Sequence, residues 1–437
     1  MPASDPSRTV LFLQGPASVF WGELAAAFEA QGARVLRVRL SAADLLFWRR
    51  PGAISYRGSL ADWPAFLEAL IEREGIDDIL VYADRPPYHA AASEVADRLG
   101  IGCHVVENGY LRPDWITLER GGMGVFSRFP DDPEVIREIA RDIAEPDLEV
   151  RYRHGFSVLA VNEVVYDLAN RFGKPLFPRF VSDRYYDPLF DFLSWIPRMF
   201  HAPRLRRAAT AVENWDPSTR FWLLAMQLQS DYQIRANSHY RHLSEMFDEV
   251  LTSFAAHAEP EDRLVVKLHP HDNGCEHWDR VVDELAAERG ITGRVAVIIG
   301  GDLGRLLGRS RGVVLVNSTV GIHTMRALKP LKVLGGAIYD LPGLCHRGSL
   351  DSFWRTPELP DPALVDAFVK AIGGTIQIKG DFYDPAGRAA AIAAIVERVL
   401  ERRVGEPGGH VDAPPRLSRF LAEGAERARR RTATGGA

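Results

Sequence analysis

The sequence predicts an α/β chain of two Rossmann-like, doubly wound domains facing a central cleft. Three observations carry this expectation. Short apolar runs alternate with longer amphipathic segments over residues 1–110, the same alternation resumes near Arg220, and roughly 100 residues of different texture lie between them. In the first series, strands are expected at Val10 to Leu13, Val35 to Val38, Ile79 to Tyr82 and Cys103 to Val106, each ending in polar or Gly/Pro punctuation. Phe20 to Ala30 and Trp63 to Glu72 are amphipathic segments between them. The stretch from about 130 to 215 is rich in aromatics and prolines, includes a helical run from Val158 to Phe172, and is assigned to the first domain. The second series places strands at Phe221 to Met226, Arg263 to Leu268, Val295 to Ile299, Gly312 to Val316 and Lys332 to Leu334. The expected organisation is therefore a first domain over 1–215, a second over 216–384, a terminal helix over 385–404 and a mobile basic tail over 405–437.

Composition narrows the class. The chain has 437 residues, enough for two or three domains at ~150 residues each. Lys and Arg number 53 against 58 Asp and Glu, for a net charge of -5, which argues against a surface built to bind nucleic acid. The 46% hydrophobic and 25% charged residues match folded, water-soluble proteins rather than disordered ones. Cys103, Cys275 and Cys345 are odd in number and far apart, so no disulfide framework or metal knuckle is expected and a reducing compartment fits. The apolar run near the N-terminus is too short for a signal peptide, and no stretch reaches 18 apolar residues, so any membrane contact is expected to be peripheral, from the cytoplasmic side.

Chemistry-bearing residues follow strand ends. Glu107, in Val106-Glu-Asn-Gly-Tyr110, sits where a carboxylate could take a proton from an attacking hydroxyl, or serve a helix cap. Arg85, in Asp84-Arg-Pro-Pro87, offers a fork to phosphate or carboxylate, or closes a turn with Asp84. His89 reads as a capping or core histidine. Asp231, at the exit Gln227-Leu-Gln-Ser-Asp231, could be a nucleophile, a base, an anchor for a sugar hydroxyl or a helix cap. Lys267 and His269 stand at i and i+2 before Pro270, two cationic donors on one side of an extended chain and suited to an anionic leaving group. Asn317-Ser318-Thr319 followed by Gly321 places hydroxyls and backbone N–H groups at a helix start, a phosphate site or a simple cap. His269 and Ser318 ending strands of one sheet together suggest a nucleotide-phosphate site. No Walker loop, GxGxxG turn, HExxH or suitable DxD is present, so a metal-independent reaction without a cofactor is expected. Two basic segments, Arg198 to Arg207 and Arg427 to Arg431, are candidates for contact with an anionic membrane surface, or are solvated faces.

Taken in order along the chain, these motifs resemble the capsule polysaccharide β-Kdo glycosyltransferases of the KpsS/LipB type, related to the KpsC enzymes. The likeness runs from Phe12-Leu-Gln-Gly-Pro16 through Asp84-Arg-Pro86, Glu107 to Glu119, Gln227 to Arg235, Lys267 to Pro270, Asn317 to Gly321 and Gly335 to Trp354. It implies a GT-B architecture and transfer of Kdo from CMP-β-Kdo, with retention, onto a lysophosphatidylglycerol-type glycolipid at the inner face of the inner membrane. It implies Asp231 as nucleophile, Glu107 as acid/base, His269 at the CMP phosphate, and Lys267, Ser318 and Thr319 sharing the phosphate charge. Pro270, Asn317, Gly321 and Gln227 belong to the same substrate-binding motifs, and Arg85 or Arg112 is a partner for the Kdo carboxylate. The chain departs from the family's Glu-Glu-Gly-Tyr pattern at Asn108, which cannot accept a proton as a carboxylate does. Two other readings stand beside this one: an inverting sialyltransferase-like GT-B enzyme, which needs no nucleophilic Asp231, and a catalytically silent scaffold of a capsule assembly and export complex.

Overall fold

The computed structural model describes residues 8–434, with side chains through residue 427. Among the described residues the strands are β1 (Thr9–Phe12), β2 (Arg34–Arg39), β3 (Ile54–Ser55), β4 (Asp78–Tyr82), β5 (Gly102–Asn108), β6 (Trp115–Arg120), β7 (Phe221–Ala225), β8 (Arg263–Leu268), β9 (Val295–Ile299), β10 (Val313–Leu315), β11 (Leu331–Val333) and β12 (Gln377–Lys379). They form two sheets, ordered β12-β6-β5-β4-β1-β2-β3 and β11-β10-β7-β8-β9. The second is parallel throughout, and the first is parallel except where β6 pairs with β5 and β12. Both Rossmann-like sheets expected from the sequence are present.

The chain divides into two compact units: residues 1–130, 139–183 and 369–417 form one, and 131–138, 184–368 and 418–437 the other. This differs from a break at 215. The helix Pro188–Glu213 lies against β9 of the second sheet, and the chain returns to the first unit through β12, which pairs antiparallel with β6. The segment expected as a separate terminal helix, Pro385–Leu400, packs on the helix Phe20–Ala30 of that first unit.

In unit 1 the strands β1, β4 and β5 are buried on both faces, their successive side chains pointing to opposite sides. Val10, Phe12, Leu80 and Val106 join one core with Phe20, Trp21 and the Pro385–Leu400 helix. Leu11, Leu13, Ile79, Val81 and Val105 join the other with Trp63, Leu67 and Tyr88. Punctuation matches the residues: Pro87 opens the helix Pro87–Leu99, and Gly100, at φ 70°, ends it in the left-handed region where a Cβ is disfavoured. In unit 2, Trp222, Leu224, Leu264, Val266 and Val314 face one core with Phe247, Trp278 and Trp354.

The tail from residue 405 is anchored rather than mobile up to its last helix. Arg416 is buried, with its guanidinium donating to the carbonyls of Phe129 (2.7 Å) and Pro130 (2.8 Å), and Val411 N donates to Arg128 O at 2.9 Å. Such a guanidinium answers two backbone acceptors that composition alone does not reveal. The helix Leu417–Thr434 then lies on unit 2, where Arg419 pairs with Asp340 and Arg427 with Glu249. The side chains of Arg429 to Arg431 fall outside the described residues.

Candidate functional site

Each unit gathers polar side chains at the carboxyl ends of its parallel strands, the edge where α/β sheets bind ligands. In unit 2 three neighbouring strands, β10, β7 and β8, supply the set. Leaving β7, the buried Gln227 amide clasps Asn317 after β10: Gln227 Nε2 donates to Asn317 Oδ1 at 2.8 Å, and Asn317 N donates to Gln227 Oε1 at 3.0 Å. Asn317 Nδ2 also donates to the carbonyls of Gln233 (3.0 Å) and Asn237 (3.2 Å). Gln229, also buried, donates to Arg241 O at 3.3 Å and accepts from Leu243 N at 2.8 Å. The loop between these glutamines and Asp231 is therefore held by uncharged amides at both ends. Asp231 caps the helix Tyr232–Asn237, its Oδ1 accepting from Gln233 N at 2.9 Å, and its side chain is half-buried.

At the β8 exit, burial depresses the Lys267 ammonium. His269 Nδ1 accepts from His271 N at 3.1 Å, so the neutral ring carries its proton on Nε2. Beyond β10, Ser318 Oγ accepts from Val320 N at 3.3 Å while the Ser318 carbonyl accepts from the Tyr339 hydroxyl. Thr319 stands at the N-cap of the helix Val320–Arg326 without a side-chain capping bond. Gly321 is required by packing: a Cβ there would meet the Tyr339 ring at 2.5 Å. This edge combines a carboxylate, two nitrogen cations or donors and two hydroxyls, a set suited to a phosphate-bearing ligand.

The corresponding edge of unit 1 has the opposite character. Glu107 lies at the end of β5 opposite Thr117 of β6, and Tyr82 ends the neighbouring β4. The Tyr82 phenol is held well above its ordinary range by burial, then by the charges of Glu107, Tyr383 and Glu163, with Arg112 acting in the other direction. Asn108 Nδ2 donates to Tyr82 Oη at 3.3 Å. Tyr383 is likewise pushed up, by burial, Glu163 and Asp381. Asp381 accepts from His154 Nδ1 at 2.7 Å, and the His154 ring lies 4.8 Å from that of Tyr383. Behind this edge, Glu119 is buried and its carboxyl is raised to about 7 by that burial, although it accepts from Ser127 Oγ and from the Tyr110 hydroxyl at 2.9 Å. Among the described residues, no group of three or more His, Cys, Asp or Glu side chains is placed to hold a metal ion.

A family model described as "Capsule polysaccharide biosynthesis protein" matches residues 77–383, more than half of the chain. The chain belongs to this family. It is 29% identical over 380 residues to the capsule polysaccharide export protein KpsS of Escherichia coli, covering 86% of this chain and 97% of that one. It is 28% identical over 390 residues to the capsule polysaccharide modification protein LipB of Neisseria meningitidis serogroup B, covering 87% and 92%. Among solved structures, Thermosulfurimonas dismutans KpsC, a β-Kdo 2,7 transferase, aligns over 90% of this chain and 100% of that one, with 13% identity and a TM-score of 0.45.

Within this capsule polysaccharide biosynthesis protein, the sequence-expected residues sort by unit. Asp231, Lys267, His269, Pro270, Ser318 and Thr319 come from the exits of three adjacent strands of one sheet. Gln227 and Asn317 join them, but their amides face each other, so they shape the loop rather than present donors to a ligand. Glu107 and Arg112 lie in unit 1, Arg112 exposed. Arg85 has a different environment from the one expected of a ligand fork. Its Nε stands 3.2 Å from the buried Asp84 carboxylate and its guanidinium lies 3.9 Å over the Phe126 ring, which is the turn-closing alternative. His89 is a core histidine, its Nδ1 3.0 Å from Ala83 O and its pKa lowered to about 4 by burial. Sequence reasoning missed the chain of neighbours from Glu107 through Tyr82 to Glu163 and Tyr383, and from Tyr383 to Asp381 and His154, and it missed Tyr339 behind Ser318. The Asp381-Phe-Tyr-Asp-Pro385 run was the available signal, because a strand as short and polar as Gln377–Lys379 has no hydrophobic pattern to announce it.

Proposed function

We propose that this protein is a retaining β-Kdo glycosyltransferase that moves Kdo from CMP-β-Kdo onto a lysophosphatidylglycerol-type glycolipid, in building the linker of a capsular polysaccharide. Membership of the capsule biosynthesis family supports the pathway, and the observation that carries the chemistry is the convergence of Asp231, Lys267, His269, Ser318 and Thr319 on one edge of the unit 2 sheet. In the first displacement an Asp231 carboxylate oxygen attacks the anomeric carbon, the bond from that carbon to the CMP phosphate oxygen breaks, and the phosphate keeps the electron pair. Lys267 and the Nε2–H of His269 meet the developing charge, with Ser318 and Thr319 hydroxyls completing the cradle. In the second, the acceptor hydroxyl oxygen displaces Asp231 and its proton passes to Glu107. Two inversions leave the β configuration. The exposed Arg112 is the arginine assigned to the Kdo carboxylate. The lipid acceptor would hold the protein at the inner face of the inner membrane as a peripheral protein, with no metal or cofactor required. No helix among the described residues is long and apolar enough to cross a membrane.

The test is CMP release from freshly made CMP-β-Kdo with a lysophosphatidylglycerol acceptor, with mass and anomeric analysis of the product, for wild type and Asp231→Asn. Asparagine retains the N-cap acceptor that Gln233 N requires, so lost activity reports the nucleophile rather than the cap. A β-linked product from wild type and a loss of about 10³-fold or more in the variant support the reading. An active variant with an inverted product points to the inverting enzyme, and absence of both turnover and CMP binding points to the scaffold.

A further inference from the structure

The helix Pro188–Glu213 of unit 2 has two apolar faces, and one of them is left exposed among the described residues. Leu205, Ala209 and Val212 are buried on the side that lies against β9, together with Arg198, whose Nε donates to Asp272 O at 2.9 Å. Arg198 is thereby removed from the basic cluster expected at the surface. On the opposite side Leu189, Leu193, Ile196 and Phe200 follow one another at helical spacings of three and four residues, all exposed, with Leu193 at 64% and Phe200 at 79%. Met199 and Phe190 flank this stripe and are exposed as well. Continuing the same spacing, the stripe runs into Arg204 and Arg207, both exposed. From Phe192 to Val212 the chain holds no Asp or Glu; Asp191 of the first turn accepts from Asn273 Nδ2 at 2.7 Å, and Asp283 is an acid that acts on Arg204.

Large apolar side chains in open water are unfavourable by ~25 cal/mol per Å² of apolar surface, so a contiguous stripe of them needs an occupant. The charge pattern identifies it. A helical protein partner is usually met by charges of both signs along the seam, whereas a helix face with apolar residues and only cations beside them is the pattern that rests on an anionic bilayer. Arg204 and Arg207 have stems long enough to lie along the apolar layer while their guanidinium groups meet lipid phosphate.

We propose that the exposed face of the Pro188–Glu213 helix is a membrane-docking surface, in which Leu193, Ile196 and Phe200 insert at the headgroup boundary of an anionic bilayer and Arg204 and Arg207 bind its phosphates. The proposal rests on the preceding reading only in that a lipid-linked acceptor requires such contact. The last helix of the chain is a weaker candidate, because its cations Arg419 and Arg427 are paired with Asp340 and Glu249.

The full chain is floated with vesicles of phosphatidylcholine containing ~30% phosphatidylglycerol as the anionic component, and with phosphatidylcholine alone. Wild type is expected to bind the anionic vesicles, to bind neutral ones about tenfold or more weakly, and to be released by high salt. Leu193→Ser/Phe200→Ser and, separately, Arg204→Gln/Arg207→Gln are each expected to weaken binding about tenfold or more while leaving CMP binding and the circular dichroism spectrum unchanged. Wild type that ignores anionic vesicles overturns the proposal, as do variants that bind as wild type does. Light scattering gives the remaining outcome: a wild-type dimer made monomeric by Leu193→Ser/Phe200→Ser, with vesicle binding unchanged, assigns the face to a second copy of this chain and overturns it too. None of these readings involves sugar transfer, so a protein that docks without transferring Kdo separates failure of the enzymatic reading from failure of this one.

Discussion

The two sheet edges are built by the same βα logic and reach opposite chemical characters. In unit 2 the loops are braced by neutral amides, Gln227 with Asn317 and Gln229 with the Arg241–Leu243 backbone, and the charged groups left at the edge include Lys267, its ammonium depressed by burial. In unit 1 the edge is acidic and phenolic: Glu107 and Glu163 act on Tyr82, and Glu163 and Asp381 on Tyr383. The first arrangement favours an anion, since a desolvated ammonium gains most from a negative partner. The second favours neutral hydroxyls, since burial and neighbouring negative charge make its phenols resist ionisation. Topology thus locates a binding edge, while the bracing residues decide its polarity.

Beyond the loss expected for Asp231→Asn, the largest effect separating the edges is expected from Glu107→Gln, which should lower kcat about 10²-fold or more with CMP affinity unchanged, as measured by steady-state kinetics and calorimetry. Equal loss of CMP binding would collapse the distinction between the edges. Lys267→Met should do the reverse and weaken CMP about tenfold or more, the scale of one charge-assisted hydrogen bond, in a titration of CMP followed by calorimetry. Unchanged affinity would take Lys267 out of the anion site. The smallest effect concerns the buried acid of unit 1. Glu119 is raised from 4.5 to about 7 by burial, so between these values the folded protein keeps a proton that the unfolded chain has lost. The contribution is zero below the lower value, becomes destabilising as pH rises through the window, and reaches a loss of about 3 kcal/mol or less above it. Glu119→Gln should flatten this decline in denaturant titrations at pH values on either side of the window, and a slope identical to wild type would show that Glu119 does not titrate there.

Legibility followed the range of the interaction that decides each feature. Strands β1, β4, β5, β7, β8 and β9 were readable from consecutive aliphatic residues and β2, β10 and β11 from shorter apolar runs, and the candidate residues of unit 2 could be singled out because each lies at or just after the end of its own strand. The hairpin β5–β6 was harder: Glu107 to Glu119 reads as a strand end and a loop, yet Asn108 pairs with Ile116 and Gly109 N donates to Trp115 O at 2.6 Å. A Cβ at Gly109 would stand 2.5 Å from the Trp115 backbone, so the turn accepts only glycine there.

By itself the sequence determined that this is a chain of two α/β series with polar and cationic residues after the strands of the second, because hydrophobic periodicity and residue type are local quantities. The tertiary structure decided what depends on distant partners. Gln377 is buried and joins β12 to the hairpin 260 residues away, donating to Thr117 Oγ1 at 2.9 Å and accepting from Tyr110 N at 2.7 Å. It also turned Arg198 onto Asp272 and Arg416 onto Phe129 and Pro130. A buried guanidinium needs acceptors wherever the fold places them, and no window of neighbouring residues records where that is.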